Sequence, residues 1–210
     1  MAPDRKARPW PVAGRHRDPR RTWRSLFSNR HLHRDQLGAV AAVLAGGAVL
    51  KIRLETLSDV PAIHALLVES FPTAAEADLV ARLRADGDVV LSLVADAESG
   101  VAGHVLFSRM TAPFGALGLA PVAVAPRWRR QGVAARLIRE GLARAGAAGW
   151  EAVFVLGDPA YYSRFGFDVA SAAGFRSPYA GPYFMLRKLA ADLPAAEGPV
   201  DYAPAFAALG

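Results

Sequence analysis

The chain has 210 residues, enough for one well-buried domain, and its 52% hydrophobic and 9% aromatic content predicts a packed core. With no cysteine, disulfides, thiolate metal ligands and a cysteine nucleophile are all excluded, and a reducing, cytoplasmic location fits. The formal net charge is +6, but residues 1–36 carry ten Lys or Arg against three Asp, so this segment at +7 leaves the rest at −1 and argues against a body built to bind nucleic acid.

Residues 1–48 are read as a basic extension. Met1 to Gln36 is rich in arginine and proline with little apolar periodicity, a composition that predicts disorder. An arm binding nucleic acid through Arg5 to Arg34, with Trp10 and Trp23 stacking on bases, is the functional alternative for this segment. Leu37 to Leu50 is an apolar run of fourteen residues, shorter than the ~20 a membrane span needs, so no membrane is expected as a partner. Together with the preceding arginines the run imitates an export signal, but it lacks a clear cleavage site before Lys51-Ile52-Arg53-Leu54. A start of translation nearer Val49 is the preferred explanation.

The domain is placed at 49–189, followed by a C-terminal tail at 190–210. Lys51 to Glu55 alternates as a half-buried strand does. Ser58 is expected to cap a helix running to about Ser70, with Val60, Ile63 and Leu67 on one face and Leu66 beside them. Thr73 and Glu76 have capping-box spacing for a second helix that carries Leu79, Val80 and Leu83 and stops at Gly87. Asp88 to Asp96 reads as a buried strand, with Val101 to Ser108 as its hairpin partner after Gly100. Leu117 to Ala125 is the next strand, and Pro121 within it marks an edge or a bulge.

The strand runs into Pro126 and a basic turn with Arg127, Arg129, Arg130, Gln131 and Gly132, then a helix to about Ala147 that buries Val133, Leu137, Ile138, Leu142 and Ala145. A helix start leaves backbone N–H groups unpaired and carries the positive end of the helix dipole, so a phosphate there satisfies donors and charge together. Gly132 permits close backbone approach, Ala134 adds almost no bulk, and arginine guanidinium groups suit phosphate oxygens. The turn matches neither the P-loop nor the three-glycine dinucleotide fingerprint. Trp150 to Gly157 is a further strand, Asp158-Pro159 opens a short helical turn before Gly166, and Phe167 to Ser177 and Tyr183 to Leu189 are read as the last two strands. The strand–helix–strand unit implies one parallel pair in a largely antiparallel sheet.

Arg129-Arg130-Gln131-Gly132-Val133-Ala134 resembles the acyl-CoA motif of the GNAT superfamily of N-acetyltransferases, Arg/Gln-x-x-Gly-x-Gly/Ala after a strand and a proline. Asp158 to Phe167, DPAYYSRFGF, resembles the second signature of that superfamily, and the likeness over residues 50 to 189 is greatest to its YhbS-like branch. The resemblance implies an α/β (α+β) GNAT fold, with a mixed, largely antiparallel sheet, a splayed parallel strand pair and helices on both faces. It also implies acetyl-CoA as cosubstrate. Its diphosphate would lie on Arg129 to Ala134 and its pantetheine arm along the backbone of Val122, Ala123 and Val124, where the amide of Val124 or a neighbour could meet a developing oxyanion. Tyr162, four residues before Gly166, would be the general acid for the departing thiolate. Asp158 stands where many members of the superfamily have Asn, and its contact with the pantetheine is left open.

No general base declares itself. Glu69, Glu76, His104 and Asp158 are the candidates, directly or through water, and each has an ordinary explanation: Glu76 as a capping residue, His104 as a structural histidine. No His, Asp or Glu cluster has metal spacing, so a metal-independent reaction is expected. The acceptor is expected to be a small-molecule or peptide amine, in a pocket of loops around Glu69–Glu76, Thr111–Ala116 and Ser177–Pro182. A homodimer is left open. The competing readings are a non-catalytic acyl-CoA sensor and a nucleic-acid-associated protein acting through its basic arm.

Overall fold

The structure is a computed structural model that describes residues 50–209. The basic extension, and with it the expected arm and all but the last residue of the apolar run, lies outside those residues. Six strands form one sheet in the order β1-β2-β3-β4-β5-β7, where β1 is Lys51–Leu54, β2 Val89–Ala97, β3 Gly100–Arg109, β4 Ala116–Val124, β5 Ala152–Leu156 and β7 Phe184–Lys188. All neighbours are antiparallel except β4 and β5, which are parallel. This is the mixed sheet that the strand–helix–strand pattern implied.

Helices α1 (Val60–Ser70) and α2 (Ala75–Ala85) cover one face of the sheet, and α3 (Val133–Ala147) covers the other. Strand alternation divides the core between these layers: Val94, Leu106, Ala123 and Phe154 point toward α1 and α2, whereas Leu93, Val105, Phe107 and Val153 point toward α3. Helix α3 buries Val133, Leu137, Ile138, Leu142 and Ala145 as its periodicity predicts, and its outer side carries an Arg144–Glu140 ion pair at 2.7 Å.

Both predicted helix starts differ from expectation. Ser58 does not cap α1; the chain enters through a 3₁₀ turn, Leu57–Asp59, in which the Asp59 carboxylate accepts from the Thr56 N–H (2.7 Å), the Thr56 hydroxyl (2.8 Å) and Arg53 (2.6 Å). The Asp59 carboxyl is held well below the usual range, first by the Arg53 hydrogen bond. Glu76 forms no capping box either. The N-cap of α2 is Ala74, and Glu76 turns inward with its residue 2% exposed, because it continues the Val80–Leu83 stripe of the helix.

Pro121 sits in an interior strand and is accommodated by a bulge. Val105 pairs with Val122 and Phe107 with Leu119, so β4 spends one residue more than β3 over this step; the Ala120–Pro121 peptide is cis. The stretch 167–177 is not a strand. The Asp168 side chain accepts the Ser171 N–H at 2.7 Å and starts a short helix, α5 (Val169–Ala172), after α4 (Pro159–Tyr162). Only Phe175–Arg176 (β6) is extended, pairing with β8 (Gly198–Pro199) in a separate two-stranded sheet. The residues after Leu189 fold back on the domain and bury Val200, Tyr202, Ala205, Phe206 and Leu209 in the α1/α2-side core.

Candidate active site

The site begins where two strands part. Strands β4 and β5 pair at Ala116–Ala152, Leu117–Val153 and Gly118–Phe154 and no further, although β4 continues to Val124. The backbone from Leu119 to Val124 therefore presents an edge that β5 does not fill. The Ala125 N–H donates to the Ala102 carbonyl on β3 at 2.9 Å, and an antiparallel ladder alternates, so Ala123 also faces β3 while Val122 and Val124 turn their N–H and C=O groups toward the gap. Of the three residues proposed for pantetheine pairing, the outer two have the required direction. Ala123 has its backbone groups turned to β3.

At the open end of this edge lies the basic turn. Pro126–Trp128 forms a 3₁₀ turn, Arg129 is extended, Arg130 adopts φ 61°, and Gly132 at φ 76° is the N-cap of α3. A non-glycine residue at positive φ costs on the order of 1–2 kcal/mol, and such strain concentrates at functional turns. The first intrahelical bond runs from the Arg136 N–H to the Gly132 carbonyl (3.0 Å), and no side chain caps the helix, so the amides of Val133, Ala134 and Ala135 precede the intrahelical ladder.

The side chains around these amides hold the turn in shape. Arg129 Nε donates to the Val124 carbonyl (3.0 Å), Gln131 Nε2 to the Arg127 carbonyl (2.7 Å), and Arg127 to Ser99 Oγ (2.7 Å) at the β2–β3 turn. Arg130 stands exposed, Val133 and Ala134 are buried, and a Cβ added to Gly132 would meet no protein atom within 4 Å. Arg129 to Ala134 are thus brought together as an amide-rich, positively charged turn suited to an anion.

Across the gap, β5 ends at Leu156 and the chain turns through Gly157 and Asp158 into α4. The Asp158 Oδ1 accepts the Ala160 N–H (2.9 Å), and its carbonyl accepts the amides of Tyr161 and Tyr162 at 3.0 Å each. Asp158 is therefore the cap that aims Tyr162. The Tyr162 ring presses on Gly157 so closely that a Cβ there would overlap it, and it meets Tyr161 and Phe167 edge-on at 5.1 and 5.8 Å. Burial, and then the neighbouring Tyr161, push the Tyr162 phenol well above its ordinary pKa, so it stays protonated across the working range.

The four base candidates do not converge. Glu69 is exposed on α1. His104 is fully buried beside Ser92 (Oγ to Nε2 2.8 Å) and Glu55 (3.5 Å), and burial lowers its pKa, keeping it neutral. Burial alone would raise the Glu55 carboxyl, but hydrogen bonds from His104, Arg84 and Ser92 outweigh it and hold the group at about 2. This network is what a structural histidine requires. Glu76 is buried with neither carboxylate oxygen hydrogen-bonded among the described residues, and burial raises its pKa. Sequence reasoning gave no role to Tyr202, although the tail around Tyr202 to Phe206 resembles the YhbS-like branch; its burial depends on a fold-back that no local pattern announces. Among the described residues no group of three or more His, Asp or Glu is arranged to hold a metal, and no helix is long and apolar enough to cross a membrane.

The acetyltransferase (GNAT) domain family matches residues 88–169, which contain the parted parallel pair, the uncapped basic helix start and the capped tyrosine turn. YhbS of Escherichia coli K12, an uncharacterized N-acetyltransferase, is 44% identical over 158 residues, covering 72% of this chain and 95% of YhbS. The chain belongs to the GNAT family of N-acetyltransferases. Two solved GNAT structures extend the comparison. YhbS of E. coli in complex with CoA superposes with a TM-score of 0.71 at 40% identity, covering 78% of this chain and 94% of that one. A GNAT acetyltransferase of Brucella melitensis in complex with acetyl-CoA gives 0.65 at 33%, covering 76% and 99%. The GNAT fold expected from the two motifs is the fold observed, with the parallel pair where the motifs placed it.

Proposed function

We propose that this GNAT protein transfers an acetyl group from acetyl-CoA to a primary amine by direct attack in a ternary complex. The observation that carries this reading is the continuity of two features: the unfilled edge from Leu119 to Val124 leads directly to the uncapped amides at the start of α3. A diphosphate on the turn Arg129–Ala134 sets a pantetheine arm running down that edge, where the outward-facing groups of Val122 and Val124 can pair with its amides. The CoA and acetyl-CoA bound in the two similar structures support the same choice of cosubstrate. A cytoplasmic location goes with it, as acetyl-CoA is a thioester of the cell interior.

In the transfer, the amine nitrogen attacks the thioester carbon; a C–N bond forms, the C–S bond breaks, and the amine's proton is in net terms delivered to sulfur. Holding both reactants at one gap supplies the proximity contribution. Amides on the β4 edge are donors for charge developing on the carbonyl oxygen. Tyr162, kept neutral by burial and aimed by Asp158, gives the departing thiolate a proton and is restored by the proton the amine releases. The acceptor enters from the α1/α2 face, opposite the side on which Tyr162 packs.

The test is the release of free thiol from acetyl-CoA by the full-length chain against polyamines, aminoglycosides, amino acids and peptides with free amino termini. Amine-dependent release is expected. Tight acetyl-CoA binding with no release for any of these amines would contradict catalysis and leave an acyl-CoA-binding module.

A further inference from the structure

Tyr202 lies beyond the last strand of the main sheet, in the segment that folds back under α1 and α2. Its ring rests on Gly118, the last residue at which β4 still pairs with β5; a Cβ on Gly118 would stand 2.5 Å from ring atom Cε1 and 2.7 Å from Cδ1. Gly157 at the end of β5 accommodates Tyr162 in the same way. Gly118 opens toward α1 and α2, and Tyr162 packs with the α3-side core, so the two tyrosines flank the parting of β4 and β5 from opposite faces of the sheet, Tyr202 at the last pair, Gly118–Phe154, and Tyr162 at Gly157, further along β5. Tyr202 is fixed there by Phe206 (ring centroids 4.7 Å apart) and by Tyr179 edge-on (5.5 Å, 80°).

The ring accounts for the packing, but nothing among the described residues accounts for the hydroxyl. There Tyr202 Oη is buried without a hydrogen-bond partner, and so is Ser108 Oγ, on the β3 residue in register with Gly118. Phenylalanine would fill the same space without leaving a buried polar group unpaired, and such groups in native proteins call for an explanation, often a functional one. Burial, and then the neighbouring Tyr179 and Tyr162, keep the Tyr202 phenol protonated, so it is a permanent donor.

We propose that Tyr202 is the second phenol of the transfer site, donating a hydrogen bond to the carbonyl oxygen of the acetyl thioester while Tyr162 serves the sulfur. This rests on the acetyl-CoA reading above. The bond strengthens as negative charge gathers on that oxygen, which places Tyr202 beside the β4 amides as a group stabilising the reacting centre. It also gives the C-terminal fold-back a role in the chemistry.

The experiment compares the full-length chain with Tyr202→Phe in calorimetric titrations with CoA, acetyl-CoA and S-ethyl-CoA, a thioether that has no carbonyl, alongside thermal melts. The variant should bind CoA and S-ethyl-CoA as the parent does, bind acetyl-CoA roughly three- to tenfold more weakly, and melt no lower, since the hydroxyl has no partner to lose. Equal acetyl-CoA affinity in the two proteins overturns the proposal. So does a parallel loss for all three ligands with a lowered melting temperature, which would make Tyr202 a packing residue. A parent chain that binds none of the three would remove the acetyl-CoA reading itself and this inference with it.

Discussion

On the α3 side of the sheet, three polar side chains of the basic turn are committed to shaping it, Arg127 to Ser99, Arg129 to the Val124 carbonyl and Gln131 to the Arg127 carbonyl, while Arg130 stands exposed. On the α1/α2 side, Ser70, Glu76, Ser108, Tyr202 and the Nδ1 of His104 are buried with polar atoms unpaired among the described residues. Trp128, which packs against both cores, keeps an unpaired Nε1 at the boundary. One face offers a ligand backbone amides on a rigid turn; the other offers side-chain groups that the fold itself leaves unused. A diphosphate common to every acyl-CoA suits the first arrangement, and a polar acceptor suits the second.

The comparison breaks most readily at Gly132. A side chain there meets no protein atom, so Gly132→Glu should leave the fold in place and abolish CoA binding by setting bulk and negative charge against the diphosphate. Gly132→Ala, carrying only the strain of a non-glycine residue at φ 76°, about 1–2 kcal/mol, should weaken binding modestly. Calorimetry that finds unchanged affinity in Gly132→Glu would remove the turn from the site. Next in size, Tyr162→Phe should lower turnover by a factor of about 10²–10⁴ with CoA affinity retained, if proton transfer to sulfur limits the rate. Equal single-turnover rates would return Tyr162 to packing.

Smaller effects sharpen the contrast from the α1/α2 side. Glu76 has a raised folded-state pKa, so its ionised form works against folding, and that penalty grows as pH rises above the ordinary 4.5. Glu76→Gln should therefore raise the melting temperature at pH 8, by the equivalent of about 1 kcal/mol, and change little at pH 4; denaturant melts at the two pH values check the sign. Glu55 behaves oppositely. Its folded pKa of about 2 lies below the usual 4.5, so its stabilisation is present above 4.5 and is lost as pH falls toward 2. His104, kept neutral by burial, begins the same loss below about 6.5, where the unfolded chain takes up the proton first. Stability should decline with acid from that point, and Glu55→Gln should flatten the lower part of the profile.

What could be read from the sequence follows the same division. The strand, basic turn and α3 helix lie within one consecutive stretch, residues 116–147, and each depends on local chemistry: apolar alternation, a proline stop, a glycine able to take positive φ, a 3.6-residue stripe. Those elements stand where the pattern put them, to within about two residues. Local pattern misled where two local solutions competed. Thr73 and Glu76 have capping spacing, but Glu76 also extends the buried stripe of α2, and the stripe prevailed. Ser58 was one of several polar residues before α1, and the Asp59 carboxylate, bonded to Thr56 and to Arg53 six residues back, decided the entry. The segment 167–177 has the residues of a strand, but the Asp168 cap makes it helical. Tyr202 was out of reach for a different reason: its partners Gly118, Tyr179 and Phe206 come together only after the chain end crosses back over the sheet.

The most direct measurement is a crystal structure of the full-length chain with acetyl-CoA. The diphosphate should lie on the amides of Gly132 to Ala134, the pantetheine along the outward groups of Val122 and Val124, and the acetyl group between the hydroxyls of Tyr162 and Tyr202. Acetyl-CoA bound away from the gap between β4 and β5, or with its diphosphate off the α3 start, would contradict the account at its centre.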